Sequence, residues 1–391
     1  MNKNKWQHLW GWLALLSLLF ACTEEASIPI QDDGSQGCVT FSFSVGNSGI
    51  SRAEEPGWSN WNENIVEKVD MFIFSDDGAT PKYFSSTSPD AALLKISEGN
   101  YTWQPEGLTR DDIKEGDKIY VIANCDVSNW ESVTSIDALK AIRITGGFTN
   151  PAGMQDKFLM DGYKQIATTD LESNLITIDL KRAAAKIRLT FSDDSEANWS
   201  NISYCLCQYA TTSTVLDLED DSYLTDAGIT SYPRETDEAD VIQVNEDDLY
   251  TTSNSKKYLV FYSYANDWFD TNKLGGSSGN WTITDYASEE PIIADKQTYI
   301  LLKALYEGKE YYYKIPVNFR LYTDNDKVSF TDSELAEIRA LYRLQRNYIY
   351  DITVTIDRAG GTEPEESIVL NTLKYHVDQW DEMDIDVPSF D

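Results

Sequence analysis

The run Arg346-Asn-Tyr-Ile-Tyr-Asp-Ile-Thr-Val-Thr-Ile356 constrains the fold more than any other stretch. Tyr348, Tyr350, Ile352, Val354 and Ile356 share one face at a period of two, in residue types that fit a pleated backbone. Such a strand needs hydrogen-bonding neighbours and a second layer over its apolar face. The pattern recurs along the chain. Val39, Phe41, Phe43 and Val45 alternate with Thr40, Ser42 and Ser44. Further strands are predicted over 66–74, 93–97, 100–104, 118–124, 174–181 and 186–191, then over 202–208, 240–244, 257–265, 297–306 and 310–319. Gly46-Asn-Ser-Gly49 and Ser75-Asp-Asp-Gly78 are turn clusters between them. Helical spacing is confined to 135–143 and to 335–342, the latter behind the capping box Thr331-Asp-Ser-Glu334. The expectation is an all-β chain of two antiparallel sandwiches in series, with a few short helices, over 38–181 and 182–391.

Composition removes several classes of function. A formal net charge of −33 gives no electrostatic hold on nucleic acid or an anionic membrane face. The two histidines, His8 and His376, are too few for a His-based triad or a His-rich zinc site. No Gly-x-Ser-x-Gly elbow or phosphate loop occurs. Asp324-x-Asp326 with Glu334 has neither the spacing nor the glycine of an EF-hand. The expectation is a non-enzyme with no cofactor and no metal. Cys205-x-Cys207 puts two thiols on one face of a strand, which is not a redox spacing. A disulfide at Cys38 or Cys125 stays open beside the alternative of free, buried thiols.

The N-terminus reads as an export signal. Lys3 and Lys5 precede the apolar run Trp6–Ala21, which is too short to remain a membrane span. Leu19-Phe-Ala-Cys22 has the form of a bacterial lipoprotein signal over 1–21, with Cys22 as the acylated residue and 22–37 as linker. Thr23-Glu24-Glu25 is either a surface-export tag or ordinary solvated linker. Arg52-Ala53 follows the first strand in a polar loop, where a trypsin-like protease could cut and detach that strand together with the lipid. At the other end, Met383, Ile385 and Val387 alternate with Asp384 and Asp386 within 373–391. That apolar face matches in period the one on Val39–Val45. The tail could therefore fill the slot of a first strand lost from a neighbour. The other reading is an edge strand that stays in its own domain. Trp268, Phe269 and Trp281 lie in or beside a polar loop; they either offer aromatic faces to a sugar or host protein, or pack internally.

The order of these features resembles the fimbrillin family, the shaft and accessory subunits of type V pili. The resemblance rests on Cys22 after the signal, the first strand followed by Arg52, Val66–Gly78, Lys118–Asn124, Arg182-Ala-Ala-Ala-Lys-Ile-Arg188, Arg346-Asn-Tyr-Ile-Tyr350 and Trp380. It implies two transthyretin-like sandwiches and export as a lipoprotein to the outer membrane. It also implies cleavage after Arg52 by a trypsin-like protease. Polymerisation would follow by strand exchange with other fimbrial subunits, with 373–391 as the donor region, in support of adhesion. The family also contains tips and anchors, so a lipoprotein binding glycan or host protein is the alternative.

Overall fold

The predicted strand at 346–356 forms over Tyr348–Val354, inside a five-stranded sheet with neighbours on both sides. The computed structural model describes residues 38–380, apart from 46–58, 218–241, 244–248, 284–296, 319–328 and several shorter stretches. Cys22, Arg52, Ala53, Met383, Ile385 and Val387 lie outside the described residues, as does the pair Asp324 and Asp326.

The first part of the chain supplies β1 (Thr40–Val45), β2 (Val69–Phe74), β3 (Lys82–Ser85), β4 (Leu94–Ser97), β5 (Asn100–Trp103), β6 (Lys118–Ala123), β7 (Arg143–Thr145), β8 (Met160–Gln165) and β9 (Leu175–Arg182). Eight of these form one sheet in the order β3-β2-β6-β8-β9-β1-β5-β4. Its two halves meet only where Met160 and Asp161 pair with Arg182 and Lys181. All six residues from Val69 to Phe74 of β2 are buried, with the rings of Tyr83 and Trp130 packed against Phe72.

After Ala183 come β10 (Ala184–Phe191), β11 (Ser203–Cys207), β12 (Thr212–Thr214), β13 (Ile242–Gln243), β14 (Leu249–Thr251), β15 (Lys257–Tyr264), β16 (Asn266–Asp267), β17 (Leu274–Ser277), β18 (Asn280–Ile283), β19 (Tyr299–Tyr306), β20 (Lys309–Pro316), β21 (Arg343–Leu344), β22 (Tyr348–Val354), β23 (Ile368–Val369) and β24 (Lys374–Gln379). Two five-stranded sheets result, β14-β15-β10-β22-β24 and β13-β11-β19-β20-β23. Ala185, Ile187, Leu189, Leu302, Ile315 and Ile352 are among the residues of the core they share. The fold is an all-β sandwich architecture.

Several details differ from the sequence reading. Pairing is not purely antiparallel: β1 runs parallel to β9, β10 to β22, and β20 to β23. The opening strand of each part thus lies between one parallel and one antiparallel neighbour. The helix expected at 135–143 is only Ile136–Lys140, capped by the Ser135 hydroxyl accepting from Ala138 N at 3.1 Å. Arg143 has passed into β7. The capping box does form: Glu334 accepts from Thr331 N at 2.9 Å, and Thr331 Oγ1 accepts from Glu334 N at 3.3 Å, ahead of Asp332–Ala340. Among the described residues Cys38, Cys125, Cys205 and Cys207 form no disulfide.

From Cys38 onward the chain is one compact unit, and the junction between its two halves explains why. The apolar core around β1, β2 and β6 also takes in Val260, Tyr262, Tyr264, Ile349 and Trp380. Inside it sits an ionic cluster. Lys186 donates to Glu63 at 3.0–3.1 Å, both side chains being fully buried. Tyr262 Oη donates to the same carboxylate. Arg182 donates to the Glu63 carbonyl at 2.9 Å and to Asn64 Oδ1 at 2.6 Å. Trp380 stacks on Tyr262, with the Arg182 guanidinium 4.6 Å and the Lys186 ammonium 5.5 Å from its ring centre.

Candidate functional site

Of the residues that the sequence assigns to strand exchange, the described ones lie on β1 or just before it. Phe41, Phe43 and Val45 face inward and are buried, as is Val39 just before the strand. Strand periodicity accounts for this: the intervening Thr40 and Ser42 lie on the other face and stay half-exposed. The rings of Phe41 and Phe43 stack at 6.4 Å, and Trp103 of β5 lies 6.5 Å from Phe43. Ile176, Ile178 and Leu180 of β9 complete the apolar wall.

β1 is central in its sheet. It pairs antiparallel with β5 from Phe41↔Trp103 to Ser44↔Asn100, and parallel with β9 from Thr40↔Leu175 to Val45↔Leu180. Both ends are tied: Thr40 N donates to the Asn174 carbonyl and Val45 N to the Gly99 carbonyl, each at 2.8 Å. Gly99 has φ +69°, a conformation glycine adopts without strain, and a Cβ there would come within 3.1 Å of the Val45 carbonyl. On the polar face Ser44 Oγ donates to Asp179, and Gln104 Nε2 donates to Thr40 Oγ1 at 2.8 Å. β1 thus fills a slot bounded by main-chain hydrogen bonds on two sides and by apolar side chains beneath.

The described segment that begins at Ser59 is pinned near its start. Asn62 Nδ2 donates to the Gln155 carbonyl at 3.0 Å, and Glu63 and Asn64 enter the ionic cluster. The Tyr101 hydroxyl accepts from Val66 N at 3.0 Å and donates to the Asn64 carbonyl at 2.9 Å. Nearby, Arg346 donates to Asp161 at 2.6 Å in a second buried pair. Burial pushes the Asp161 carboxyl up to about 6, against the pull of Arg346. No sequence signal marked Glu63, Lys186 or Asp161 as partners, since their pairing depends on two sandwiches meeting.

At the other end, β24 pairs antiparallel with β22 of its own sheet, and Trp380 is fully buried directly after it. The part of the donor region that is described, 373–380, therefore belongs to its own domain.

The loop reading of the tryptophans needs correction. Trp268 is fully buried in the core of the second sandwich, so it offers no face to a ligand. Its backbone N–H donates to Tyr342 at 3.0 Å, which draws the segment inward. Trp281 is half-buried on the β17–β18 hairpin, and its indole N–H donates to Asp332 Oδ1 at 2.6 Å. Ser278 Oγ and Gly279 N donate to the same carboxylate, and these donors hold it below the usual carboxylate range. Trp281 thereby clamps its hairpin to the start of the helix.

Among the described residues no group of three or more His, Cys, Asp or Glu is placed to hold a metal ion, and no helix is long and apolar enough to cross a membrane.

The fold and the slot define an all-β sandwich protein whose first strand lies inside a sheet. No family model matches the chain. The chain is similar to the major fimbrium tip subunit FimD of Porphyromonas gingivalis, 24% identical over an alignment of 377 residues that covers 91% of this chain and 46% of the relative. It thus spans about half the length of the curated relatives it matches. Solved structures similar to it include the tip fimbrial protein Mfa3 of Porphyromonas gingivalis (TM-score 0.43, 13% identity, 88% of this chain and 100% of that one). A fimbrial assembly protein of Parabacteroides distasonis is another (TM-score 0.43, 13% identity, 88% and 95%). The likeness to a fimbrium tip subunit bears out the resemblance to the fimbrillin family.

Proposed function

We propose that this chain is a non-enzymatic adhesion subunit of a cell-surface fimbrium, exported as a lipoprotein anchored through Cys22. A trypsin-like protease cuts between Arg52 and Ala53, and β1 leaves with the lipid. Another subunit then donates a strand to the vacated slot. The carrying observation is the central, doubly paired position of β1, with Phe41 and Phe43 buried beneath it. Met383, Ile385 and Val387 offer the matching alternation for donation to a further copy. The boundary near 181–182, where β9 gives way to β10, separates the sandwich that receives from the one that carries the donor tail.

The test uses lipid-free protein treated with a trypsin-like protease. The expected product begins at Ala53, lacks β1, and forms a ladder on denaturing gels. Cutting only elsewhere, with β1 retained, overturns the processing step.

A second reading, a tip subunit, is favoured by the name of the curated relative and by β24 lying in its own sheet. A tip accepts a donor strand and offers none. It would form a one-to-one complex with a donor subunit and no ladder alone. Adhesion would then use a surface other than Trp268.

A further inference from the structure

On β11, Tyr204 and Leu206 turn into the core, while Cys205 and Cys207 leave the opposite face together and are half-buried. Their neighbours across the sheet are fixed by register. Cys205 pairs with Leu301 and Cys207 with Tyr299 of β19, and Leu301 pairs in turn with Lys314 of β20. The Lys314 ammonium stands 4.5 Å from the centre of the Tyr299 ring. Cys207 Sγ donates to the Cys205 carbonyl at 3.8 Å, and the Cys205 and Tyr299 side chains beside Cys207, with the positive charge of Lys314, favour its thiolate. These bring the Cys207 thiol down to about 7, against its burial. Tyr299 is raised by burial first and by the adjoining thiols second. The free thiols Cys38 and Cys125 lie on other elements.

Two sulfurs on one strand face, with no third His, Cys, Asp or Glu placed to complete a larger set among the described residues, do not make a tetrahedral zinc site. They do suit a soft univalent d10 ion, which accepts two-coordination by sulfur. We propose that Cys205 and Cys207 form a dithiol site for such an ion, Cu(I) in nature and Ag(I) as its redox-stable stand-in. On binding, both thiols release a proton to solvent and each sulfur forms one bond to the ion. Nothing is oxidised or reduced. The two thiolates and the ion together carry one negative charge, which the Lys314 ammonium offsets. The inference is independent of the fimbrial reading.

The test uses the full chain with Cys22→Ser and Cys38→Ser, to remove two competing thiols, Cys38 being exposed. The reduced protein is titrated with Ag(I) in a molar excess of glutathione and read by native mass spectrometry. A single thiol cannot outcompete glutathione, whereas a preorganised pair gains an effective concentration of order millimolar or more. One silver ion per chain is expected. Cys205→Ser and Cys207→Ser should each lose it, Cys125→Ser should keep it, and Lys314→Met should weaken it severalfold. Thermal melting checks that the serine variants fold. As a second measurement, phenylarsine oxide should consume two thiols per chain, releasing one water, and should consume none stably in either single variant. Failure to retain silver against glutathione overturns the site, as does equal retention by the single-serine variants.

Discussion

Replacing Glu63 by Gln keeps the shape of the side chain and an oxygen to accept from Tyr262, but strands the buried Lys186 charge. Both partners are fully buried, and the Trp380 ring lies 5.5 Å from the ammonium. Removing one member of such a pair typically costs about 3–5 kcal/mol, because the remaining charge has lost both water and partner. Lys186→Met should cost a similar amount by taking the cation from Glu63 and leaving its buried charge to the Tyr262 hydroxyl. The double variant should cost far less than the sum, with a coupling of about 2–3 kcal/mol, since no lone charge remains. Urea denaturation followed by near-ultraviolet circular dichroism reads this, because Trp380 stacked on Tyr262 reports the junction directly. With a slope of about 3 kcal/mol per molar, each single variant should lower the midpoint by about 1 M or more. The junction is also the seam between two sandwiches. Each single variant should therefore broaden the transition or split it in two, and the double variant should restore one step. Additive losses below about 1 kcal/mol for each single change would refute the claim that this pair locks the seam.

Two further outcomes follow from single positions. The raised Asp161 carboxyl binds a proton in the folded state that the unfolded chain has already released between pH ~4 and ~6. Its contribution to stability is therefore full below pH ~4 and is lost as pH rises through about 6, by up to about 3 kcal/mol. Asp161→Asn should remove that slope, and parallel pH profiles for the two proteins would rule it out. Gly162 on β8 faces β9, where an added Cβ would meet the Asp179 carbonyl at 2.7 Å and Ile178 at 2.8 Å. Gly162→Ala should cost about 1–3 kcal/mol by thermal melting, and a neutral result would mean that β9 shifts freely.

The sequence disclosed the strands that have one wet face. β9 alternates half-buried or exposed residues with buried ones along its length, and its predicted span was close to the observed one. β8 was not legible, because Met-Asp-Gly-Tyr-Lys-Gln carries no alternation and its burial comes from partners distant in sequence. β3, β7, β14, β17, β18 and β23 escaped for a related reason, being short or glycine-bearing and held by pairing rather than by pattern. Parallel pairing of β1 with β9 could not be read either, since period-two burial is the same in both directions. The apolar face of β1 was plain from Phe41 and Phe43. The ionic seam was not: Glu63 stands in an unremarkable polar run, and only the meeting of two sheets gives it a partner. Of the two uses open to Trp268, a ligand face or internal packing, the structure shows the second, as is common for tryptophan.

The central place of β1 sets an energetic condition on any mechanism that removes it. Val39, Phe41, Phe43 and Val45 are almost fully buried. At about 1.5–3 kcal/mol each, their burial is worth roughly 6–12 kcal/mol, which is comparable with the whole stability of an ordinary domain. A first sandwich without β1 should not stand on its own core. Part of what remains to hold it is the segment from Trp61 to Val66, fastened to Arg182 of β9 and, across the seam, to Lys186. Protein cut after Arg52 and freed of its leader should therefore melt at least 10 °C lower than the intact chain, given that about 1 kcal/mol moves the midpoint by a few degrees. A synthetic peptide of residues 38–46 should restore most of that loss. A peptide of residues 381–391 should restore part of it if the chain donates to its own kind. Phe43→Ala in the first peptide should cost about 3–5 kcal/mol of binding, since a cavity opens beside Trp103. If the cut chain keeps its melting point with the leader gone, or if a scrambled peptide works as well, the slot is not what stabilises the first sandwich, and a strand from a neighbour has nothing to replace.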